Sequence, residues 1–342
     1  MQRGSHTLTR VVNAGYLTRY FRTRLRRVFP SGERLIRLRV TEVGRERFKR
    51  AFKYTLLYTT PVGRRLVRII RGNVPSRHRL HELTIADRTV RRLRALSFCQ
   101  GRIQVPLPLG YDRSLRLFLY QDCPGKTLAK ALAKASLGQQ LAMVDDATRG
   151  IERIHNLRIR GPLAWTTQSI RRDIGFFRDD FARAGKTWKE LAEPLLDRLT
   201  RALLLAHKKR VKSFRLIHGD YSPYNIIIRK GGLTIIDFGN ALHADPLLDL
   251  ASFASQLELL GARGTIPLAR ATLLIKHFEH SYWKPRHRTG ISTARLEAFK
   301  AYRAWWLLQA GAYLISTQPP KKNLSLFKYI FSRSSRLLGL TE

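Results

Sequence analysis

Strand-like patterns dominate the first third of the chain. Three runs, 35–40, 54–60 and 65–70, are rich in β-branched and aromatic residues, and such runs between turn signals are typical of strands. The tripeptide Pro61-Val62-Gly63 predicts a turn that joins the second and third runs as a hairpin. A further run follows at 115–120. This region therefore predicts a small antiparallel sheet.

Helical spacing dominates the remainder of the chain. In residues 78–96 the apolar side chains of Leu83, Ala86, Val90 and Leu93 fall on one helical stripe. Residues 129–213 and the chain after residue 239 carry the same kind of pattern. Strands followed by many helices, without regular alternation of the two, favour the α+β class.

A basic amphipathic helix is predicted before the first strand. Leu17, Phe21, Leu25 and Val28 lie at helical spacing, and arginines occupy most positions between them. Such a helix either contacts a membrane surface or polyanion, or packs its apolar stripe on the neighbouring lobe. The tail, 321–340, also alternates apolar and basic residues.

Residues 214–239 combine strand patterns with polar residues at fixed places. An apolar approach leads into Asp220, and Asn225 directly precedes the strand-like run 226–228. A glycine turn then leads to the run 234–236, which ends at Asp237. A hairpin would bring Asn225 and Asp237 together, with Asp220 within reach of the same point.

This set of side chains points to phosphoryl transfer. Acidic and amide groups hold magnesium on the nucleotide phosphates, and a further carboxylate orients the attacking hydroxyl. The segment His218-Gly219-Asp220 with Asn225, followed by Asp237-Phe238-Gly239, resembles the catalytic loop and metal-binding motif of the protein-kinase-like superfamily. The ordered set HGDxxxxN, IDFGNA and DPxxDLA is similar to the aminoglycoside, choline and homoserine phosphotransferase family. The alternative is an ordinary hairpin with chance acidic residues.

The resemblance implies a two-lobed, protein-kinase-like fold and transfer from ATP, or alternatively GTP, to an acceptor hydroxyl. Asp220 would orient the hydroxyl and accept its proton, while His218 would hold the loop in place. Asn225 and Asp237 would bind Mg²⁺.

Two further residues are expected to support the catalytic loop, and one histidine is expected to be structural. The resemblance implies that Asp245 and Asp249 brace it through backbone hydrogen bonds, and helix capping is the alternative. His155, which ends a predicted helix well before the loop, is expected to be structural rather than catalytic.

The resemblance also implies a set of nucleotide contacts. Arg68, at the centre of the third strand, would reach the phosphates, unless it is a solvent-facing arginine in an arginine-rich chain. Glu82 would pair with it, with Asp87 as a competitor and a capping or surface role as the alternative. Asp122, in the segment QDCPGKTL, corresponds to the acidic residue of the family's adenine-binding hinge. No G-x-G-x-x-G loop is present.

These assignments divide the chain into three parts. Residues 1–33 form a basic N-terminal extension, residues 34–121 the lobe that covers the nucleotide, and residues 122–342 the catalytic and acceptor lobe. The insertion at about 161–213 is expected to help build the acceptor pocket.

Charge narrows the choice of acceptor. The chain has 64 Lys and Arg against 24 Asp and Glu, a net charge of +40. A basic surface attracts polyanions and repels cations, so we expect an anionic or membrane-linked acceptor, such as lipopolysaccharide or another cell-envelope sugar. An anionic membrane surface is a further expected partner, and nucleic acid is not excluded. A generally basic proteome is the alternative explanation of the charge.

The remaining features fit a cytoplasmic protein, with peripheral association at the cytoplasmic face of the membrane. Two cysteines, Cys99 and Cys123, suggest neither a disulfide framework nor a metal site, and no segment has the pattern of a spanning helix or signal peptide. The alternative functions are a small-molecule kinase acting on an aminoglycoside or choline-like compound, a protein kinase, and an inactive kinase-like scaffold that binds a polyanion.

Overall fold

The computed structural model describes residues 9–24, 33–45, 49–76, 79–96, 98–283, 291–317 and 323–340. Leu25 and Val28 of the first predicted stripe lie outside these residues. The chain forms two compact units. The first comprises Met1–Pro124 with Thr234–Asn240, and the second Gly125–Leu233 with Ala241–Glu342. The division after Pro124 lies three residues beyond the boundary expected at 121.

The first unit is built on an antiparallel sheet of five strands in the order β1-β2-β3-β6-β5. Its elements are α1 Ala14–Arg24, β1 Arg34–Arg45, β2 Lys49–Thr59, β3 Arg65–Pro75, α2 Leu80–Ala95, β4 Ile103–Gln104, β5 Pro108–Asp112 and β6 Leu117–Gln121. The turn at residues 61–63 joins β2 and β3 as predicted. Both strands extend beyond their predicted runs, β2 by five residues at its start and β3 by five at its end.

One face of this sheet is buried under α1, and we call it the covered face. Phe52, Tyr54 and Leu56 of β2 share a core cluster with Leu17 and Phe21 of α1. The rings of Phe21 and Tyr54 lie 5.5 Å apart, edge to face. The two described residues of the predicted stripe, Leu17 and Phe21, therefore pack on their own lobe, as in the second of the two alternatives.

The opposite face of the sheet, the polar face, carries the alternate residues of the same strands. In β2 these include Lys49, Ala51 and Lys53, because successive strand residues point to opposite sides. Register places Ala51 opposite Asn73 and Lys53 opposite Arg71 of β3. Directly paired residues share a face, so β3 presents Arg71 and Asn73 on the polar face.

The second unit is mostly helical. Its helices are α3 Leu128–Leu132, α4 Leu137–His155, α5 Thr167–Arg183, α6 Lys186–Arg210, α7 Leu247–Ala262, α8 Leu268–Trp283, α9 Thr293–Thr317 and α10 Leu324–Leu337. Short strands connect them: β7 Lys126–Thr127, β8 Arg215–Ile217, β9 Ile226–Arg229 and β11 Leu242–Ala244, while β10 Gly232–Ile235 crosses from this unit into the first. Together with the sheet, these helices confirm the α+β class.

Local sequence explains where several of these helices begin. Ser136 and Gln139 form a reciprocal capping box at the start of α4, and Thr166 and Ser169 form another at α5. Such caps satisfy backbone N–H groups that have no partner inside the helix.

Aromatic side chains fill the core of the helical unit. The Trp165 ring lies 6.0 Å from that of Trp305, and Phe177 contacts Trp305 from α5. The C-terminal helix α10 is held in the same way, because its Phe327 is fully buried and lies 4.9 Å from Trp188. Among the residues that the structure describes, no helix has the length and apolar character needed to cross a membrane.

Candidate active site

The catalytic loop, residues 218–225, follows β8 and precedes β9 in the second unit. Asn225 Nδ2 donates to the Asp220 carboxylate at 3.0 Å and to the Asp220 carbonyl oxygen at 2.9 Å. Because the amide nitrogen of Asn225 is used in this way, its amide oxygen is the atom that can accept a hydrogen bond or bind a metal. The structure thus brings together two of the residues that the sequence places in the site.

Asp249, in the first turn of α7, fixes the start of this loop. Its carboxylate accepts from the backbone N–H of His218 at 2.7 Å and from that of Gly219 at 2.8 Å. Asp249 is fully buried, and a buried acceptor of two backbone donors holds them firmly because neither can exchange with water. His218 is itself fully buried, and its Nδ1 accepts from the Asp220 N–H at 3.3 Å.

A second layer of buried groups orients Asp249. His155 Nε2 lies 3.1 Å from Asp249, and His155 Nδ1 lies 2.9 Å from the hydroxyl of Tyr282. His155 therefore has the structural role expected from the sequence. Tyr221 closes the other side of the loop and donates its hydroxyl to the Ala147 carbonyl at 2.6 Å. Burial, with the nearby Asp249 carboxylate, raises the pKa of Tyr221 well above its usual value, so the hydroxyl stays protonated.

Asp245 differs from Asp249 in its hydrogen-bond partners, although the sequence predicts the same loop-bracing role for both. The Asp245 carboxylate is paired with the Arg210 guanidinium and accepts from the Leu247 N–H at 3.1 Å, at the start of α7. Asp245 is thus an ion-pair partner that also accepts the first N–H of α7, whose N-cap position is Pro246. Asp249 alone of this pair makes the backbone bonds to the catalytic loop that the structure describes.

Asp237 lies in the first unit, in a pocket whose described lining includes Lys49, Asn73, Glu82, Tyr120 and Gly239. We call it the Asp237 pocket. Lys49 Nζ donates to the Asp237 carboxylate. Their side chains are 22% and 27% exposed, so solvent screens the pair only in part. Asp237 has a positive φ of 67°, a conformation uncommon for residues other than glycine and often found at functional sites.

Close packing of α2 shapes the floor of the Asp237 pocket. A Cβ atom at Gly239 would lie 3.3 Å from the Cβ of Glu82, so glycine lets the helix approach the segment that carries Asp237. Tyr120 borders the same charges: burial raises the pKa of its hydroxyl, the Asp237 carboxylate adds to this, and Lys49 opposes it. The pocket therefore places two carboxylates, one ammonium group and a protonated phenol among its lining groups.

Arg68 is placed away from this pocket. It is paired with Leu56 in the strand register and so lies on the covered face. There its guanidinium donates to Glu33 at 2.6 Å, and Glu33 is only 7% exposed. The neighbouring Tyr58 has its pKa raised to about 12 by burial, an effect that Arg68 opposes. The residue that the sequence assigns to the phosphates thus lies on the covered face and is paired with Glu33.

Glu82 is paired with a different arginine from the one expected, and Asp122 is paired with Arg71. Glu82 lines the Asp237 pocket, but its described ion pair is with Arg79 at 3.0 Å and not with Arg68. The Asp122 carboxylate accepts from Arg71 Nε at 2.5 Å. Its backbone N–H donates to the Ile69 carbonyl at 3.0 Å, which ties the segment expected to be the hinge to β3.

Lys49 is the charged pocket residue that the sequence reasoning missed. The predicted second strand began at residue 54, so Lys49 was left in a connecting segment. The signal was present, because in the β2 sequence KRAFKYTLLYT the lysines at 49 and 53 alternate with the aromatic residues at 52 and 54.

Comparisons with known proteins place this geometry in context. A profile of the phosphotransferase enzyme family (APH) matches residues 53–279, more than half of the chain. No curated protein matches the sequence significantly. Similarity to solved structures is extensive along the chain but low in identity.

One similar structure is a choline kinase from Cryptosporidium parvum Iowa II, with 13% identity and a TM-score of 0.60 over 95% of this chain and 94% of that one. A thermostable mutant of the aminoglycoside phosphotransferase APH(4)-Ia, in the apo form, has 16% identity and a TM-score of 0.55 over 89% and 95%. The GDP complex of an aminoglycoside 2′-phosphotransferase-IIIa mutant has 15% identity and a TM-score of 0.53 over 94% and 97%. These likenesses confirm the predicted kinase-like fold.

Proposed function

Because this chain belongs to the phosphotransferase enzyme family, we propose that it moves the γ-phosphoryl group of ATP, or alternatively GTP, to an acceptor hydroxyl. The observation that carries the proposal is the Asp220–Asn225 contact of 3.0 Å in a loop that buried Asp249 holds in place. A carboxylate held beside an amide whose oxygen is directed elsewhere matches what phosphoryl transfer requires of a catalytic loop.

Asp220 is the group that orients the acceptor hydroxyl and takes its proton. A positioned general base contributes about 10²–10⁴-fold to rate. His218 holds Asp220 through the bond from the Asp220 N–H to its Nδ1. The proton therefore moves from the acceptor oxygen to an Asp220 carboxylate oxygen as the new oxygen–phosphorus bond forms and the bond to the nucleoside diphosphate breaks.

Asn225 and Asp237 are the residues that would hold Mg²⁺. Magnesium prefers hard oxygen donors and usually takes one or two carboxylates together with substrate phosphates. The Asn225 amide oxygen and the Asp237 carboxylate fit this donor set. Elsewhere in the described residues, no cluster of three or more His, Cys, Asp or Glu side chains is suited to a metal. When bound, the ion would neutralise phosphate charge and align the transferred group.

The nucleotide is proposed to lie against the first unit. Support comes from Asp122, whose segment is tied to β3 through Arg71 and Ile69 and offers a fixed edge for the base. Glu82 borders the phosphate end of the same unit beside Asp237. The phosphate-contacting role expected of Arg68 finds no support in its pairing with Glu33.

The acceptor is proposed to be anionic or membrane-linked, such as lipopolysaccharide or another envelope sugar. What supports this is the net charge of +40, which attracts an anionic acceptor and repels a polycationic aminoglycoside. The same charge supports salt-sensitive association with an anionic membrane surface from the cytoplasmic side. Since the stripe of α1 is buried, that association would be electrostatic.

The test is a transfer assay of the full chain with labelled ATP and GTP in the presence of Mg²⁺. Lipopolysaccharide sugars, aminoglycosides, choline and RNA serve as candidate acceptors, and Asp220→Asn is the matched inactive control. Label on the envelope sugar, absent with Asp220→Asn, supports the proposal. Label only on choline or an aminoglycoside would establish the small-molecule alternative. Nucleotide binding without transfer to any hydroxyl would favour the scaffold.

A further inference from the structure

Two strands of the first unit differ in what they bring to the Asp237 pocket. The β2 strand supplies Lys49, whose Nζ donates to the Asp237 carboxylate. From β3, Asn73 and Pro75 line the pocket, and both are uncharged. The charged group beside Asp237 therefore comes from the second strand of the sheet and not from the third.

None of the three arginines of β3 is among the residues that line the Asp237 pocket. Arg65 is exposed at the start of the strand, Arg68 is on the covered face with Glu33, and Arg71 is paired with Asp122. Arg65 and Arg71 share the polar face with Asn73, but Arg65 lies at the opposite end of the strand from the pocket. The Nε of Arg71 donates to Asp122 at 2.5 Å. The third strand thus lines the Asp237 pocket with an amide and a proline and with no charged side chain.

Strand register explains why Lys49 can take this place. Lys49 is paired with Pro75, and Ala51 with Asn73, so Lys49 lies one pleat beyond Asn73 on the same face. The long, flexible side chain of lysine carries a compact charge with three donors. An ammonium group of this kind can hold a carboxylate and a phosphate oxygen at the same time.

We propose that Lys49 of β2 is the cation that binds the nucleotide phosphates in this chain. The inference rests on the proposed nucleotide-dependent function and deepens it, because it names the phosphate-binding residue and the strand that supplies it. Lys49 and Asp237 form one unit: the carboxylate holds the ammonium group in position, and the ammonium group binds the phosphate oxygens of the nucleotide.

The test compares nucleotide with nucleoside. Calorimetry measures the affinity of wild type and of Lys49→Met for Mg-ATP and Mg-GTP, and for adenosine and guanosine, which lack phosphates. We expect Lys49→Met to bind the triphosphate about 10- to 100-fold more weakly, since hydrogen bonds to charged groups are the strong ones. Nucleoside affinity stays within about twofold, because the lost contact is to phosphate.

Three further variants make the result specific. Lys189→Met, on the exposed surface of α6, removes the same charge at a distant place and leaves both affinities unchanged. Adding Asn73→Lys to Lys49→Met returns a cation to the pocket from β3 and restores a large part of the triphosphate affinity. Arg68→Met with Glu33→Gln removes both partners of the competing ion pair without leaving a buried charge.

The possible outcomes separate the Lys49 assignment from a role of Arg68 and from a role of Lys49 in folding. Loss of triphosphate affinity in the Arg68→Met/Glu33→Gln pair and its retention in Lys49→Met would return the role to Arg68. Equal loss of nucleoside and triphosphate affinity in Lys49→Met, with a lowered melting temperature, would show that Lys49 supports the fold instead. If wild type binds no nucleotide, the proposed function itself fails. If wild type binds and Lys49→Met binds equally well, only the Lys49 assignment fails.

Discussion

In the catalytic loop, the groups around Asp220 are held by buried partners, whereas in the Asp237 pocket the charged partners remain partly exposed. Asp249 and His218 have no measurable exposure, while the Lys49 and Asp237 side chains are 22% and 27% exposed. A buried network costs much to disturb, because each polar group left unpaired loses its full hydration. A part-exposed ion pair can exchange partners at low cost. The first region is suited to holding a catalytic base still, and the second to accepting a charged ligand.

The sharpest test of this contrast is Asp220→Asn. The amide is nearly the same size and keeps an oxygen for Asn225, so the loop should fold unchanged, but it accepts a proton very poorly. We expect the transfer rate to fall about 10²–10⁴-fold, while calorimetry shows Mg-ATP affinity close to that of wild type. Unchanged turnover would remove Asp220 from the reaction.

Asp249→Ala tests the rigid side of the comparison. The substitution leaves the N–H groups of His218 and Gly219 and the Nε2 of His155 without their buried acceptor. We expect the free energy of unfolding to fall by about 3 kcal/mol or more, because each stranded buried group costs about 1–3 kcal/mol. Denaturant unfolding measures the change.

The matched control for Asp249→Ala is Asp197→Ala. Asp197 pairs with Arg178 but is 51% exposed, so its loss should cost no more than about 1 kcal/mol. Similar losses at the two positions would mean that the catalytic loop is not held by the buried network.

Asp237→Asn tests the part-exposed Asp237 pocket. Asparagine tolerates the left-handed conformation that Asp237 adopts, so we expect little change in unfolding. The lost negative charge weakens contact with the metal, and Mg-ATP affinity should fall about 10- to 100-fold. Binding of ATP without magnesium should change much less, and calorimetry with and without the ion measures both. Equal affinities in wild type and variant with magnesium would exclude Asp237 as a metal ligand.

The two regions also differ in how far the sequence predicts them. The catalytic loop could be placed because its key residues, 218–225, are contiguous and their chemistry follows from spacing along the chain. The pairing of Asp249 with the loop was also expected, but the different role of Asp245 depends on Arg210, which lies far away in sequence.

Prediction was weaker in the sheet for a physical reason. In a strand, a shift of one residue moves a side chain to the opposite face. Arg68 and Arg71 look equivalent in an arginine-rich run, yet pairing with Leu56 puts the first on the covered face and pairing with Lys53 puts the second on the polar face. Because the predicted strand began at residue 54 and β2 begins at Lys49, the lysine that pairs with Asp237 was left out of the predicted strand.

The smallest expected effect is on the binding of α1 to an anionic membrane surface. Since Leu17 and Phe21 are buried under the sheet, association of α1 with an anionic surface can use only its exposed basic residues, such as Arg19 and Arg22. Each basic residue near such a surface contributes about 1 kcal/mol. We therefore expect Arg19→Gln with Arg22→Gln to weaken co-sedimentation with anionic vesicles by about 10- to 30-fold. Neutral vesicles should not bind either protein.

The matched control for that pair is Lys186→Gln with Lys189→Gln, which removes the same charge from α6. High salt should abolish vesicle binding altogether, because an electrostatic contact is screened and a buried apolar stripe adds nothing. Binding that persists at high salt would mean that Leu17 and Phe21 leave the core to enter the lipid. If excess RNA binds tightly and no vesicle binding is seen even at low salt, the basic surface serves nucleic acid, and RNA-linked hydroxyls become the acceptors to test.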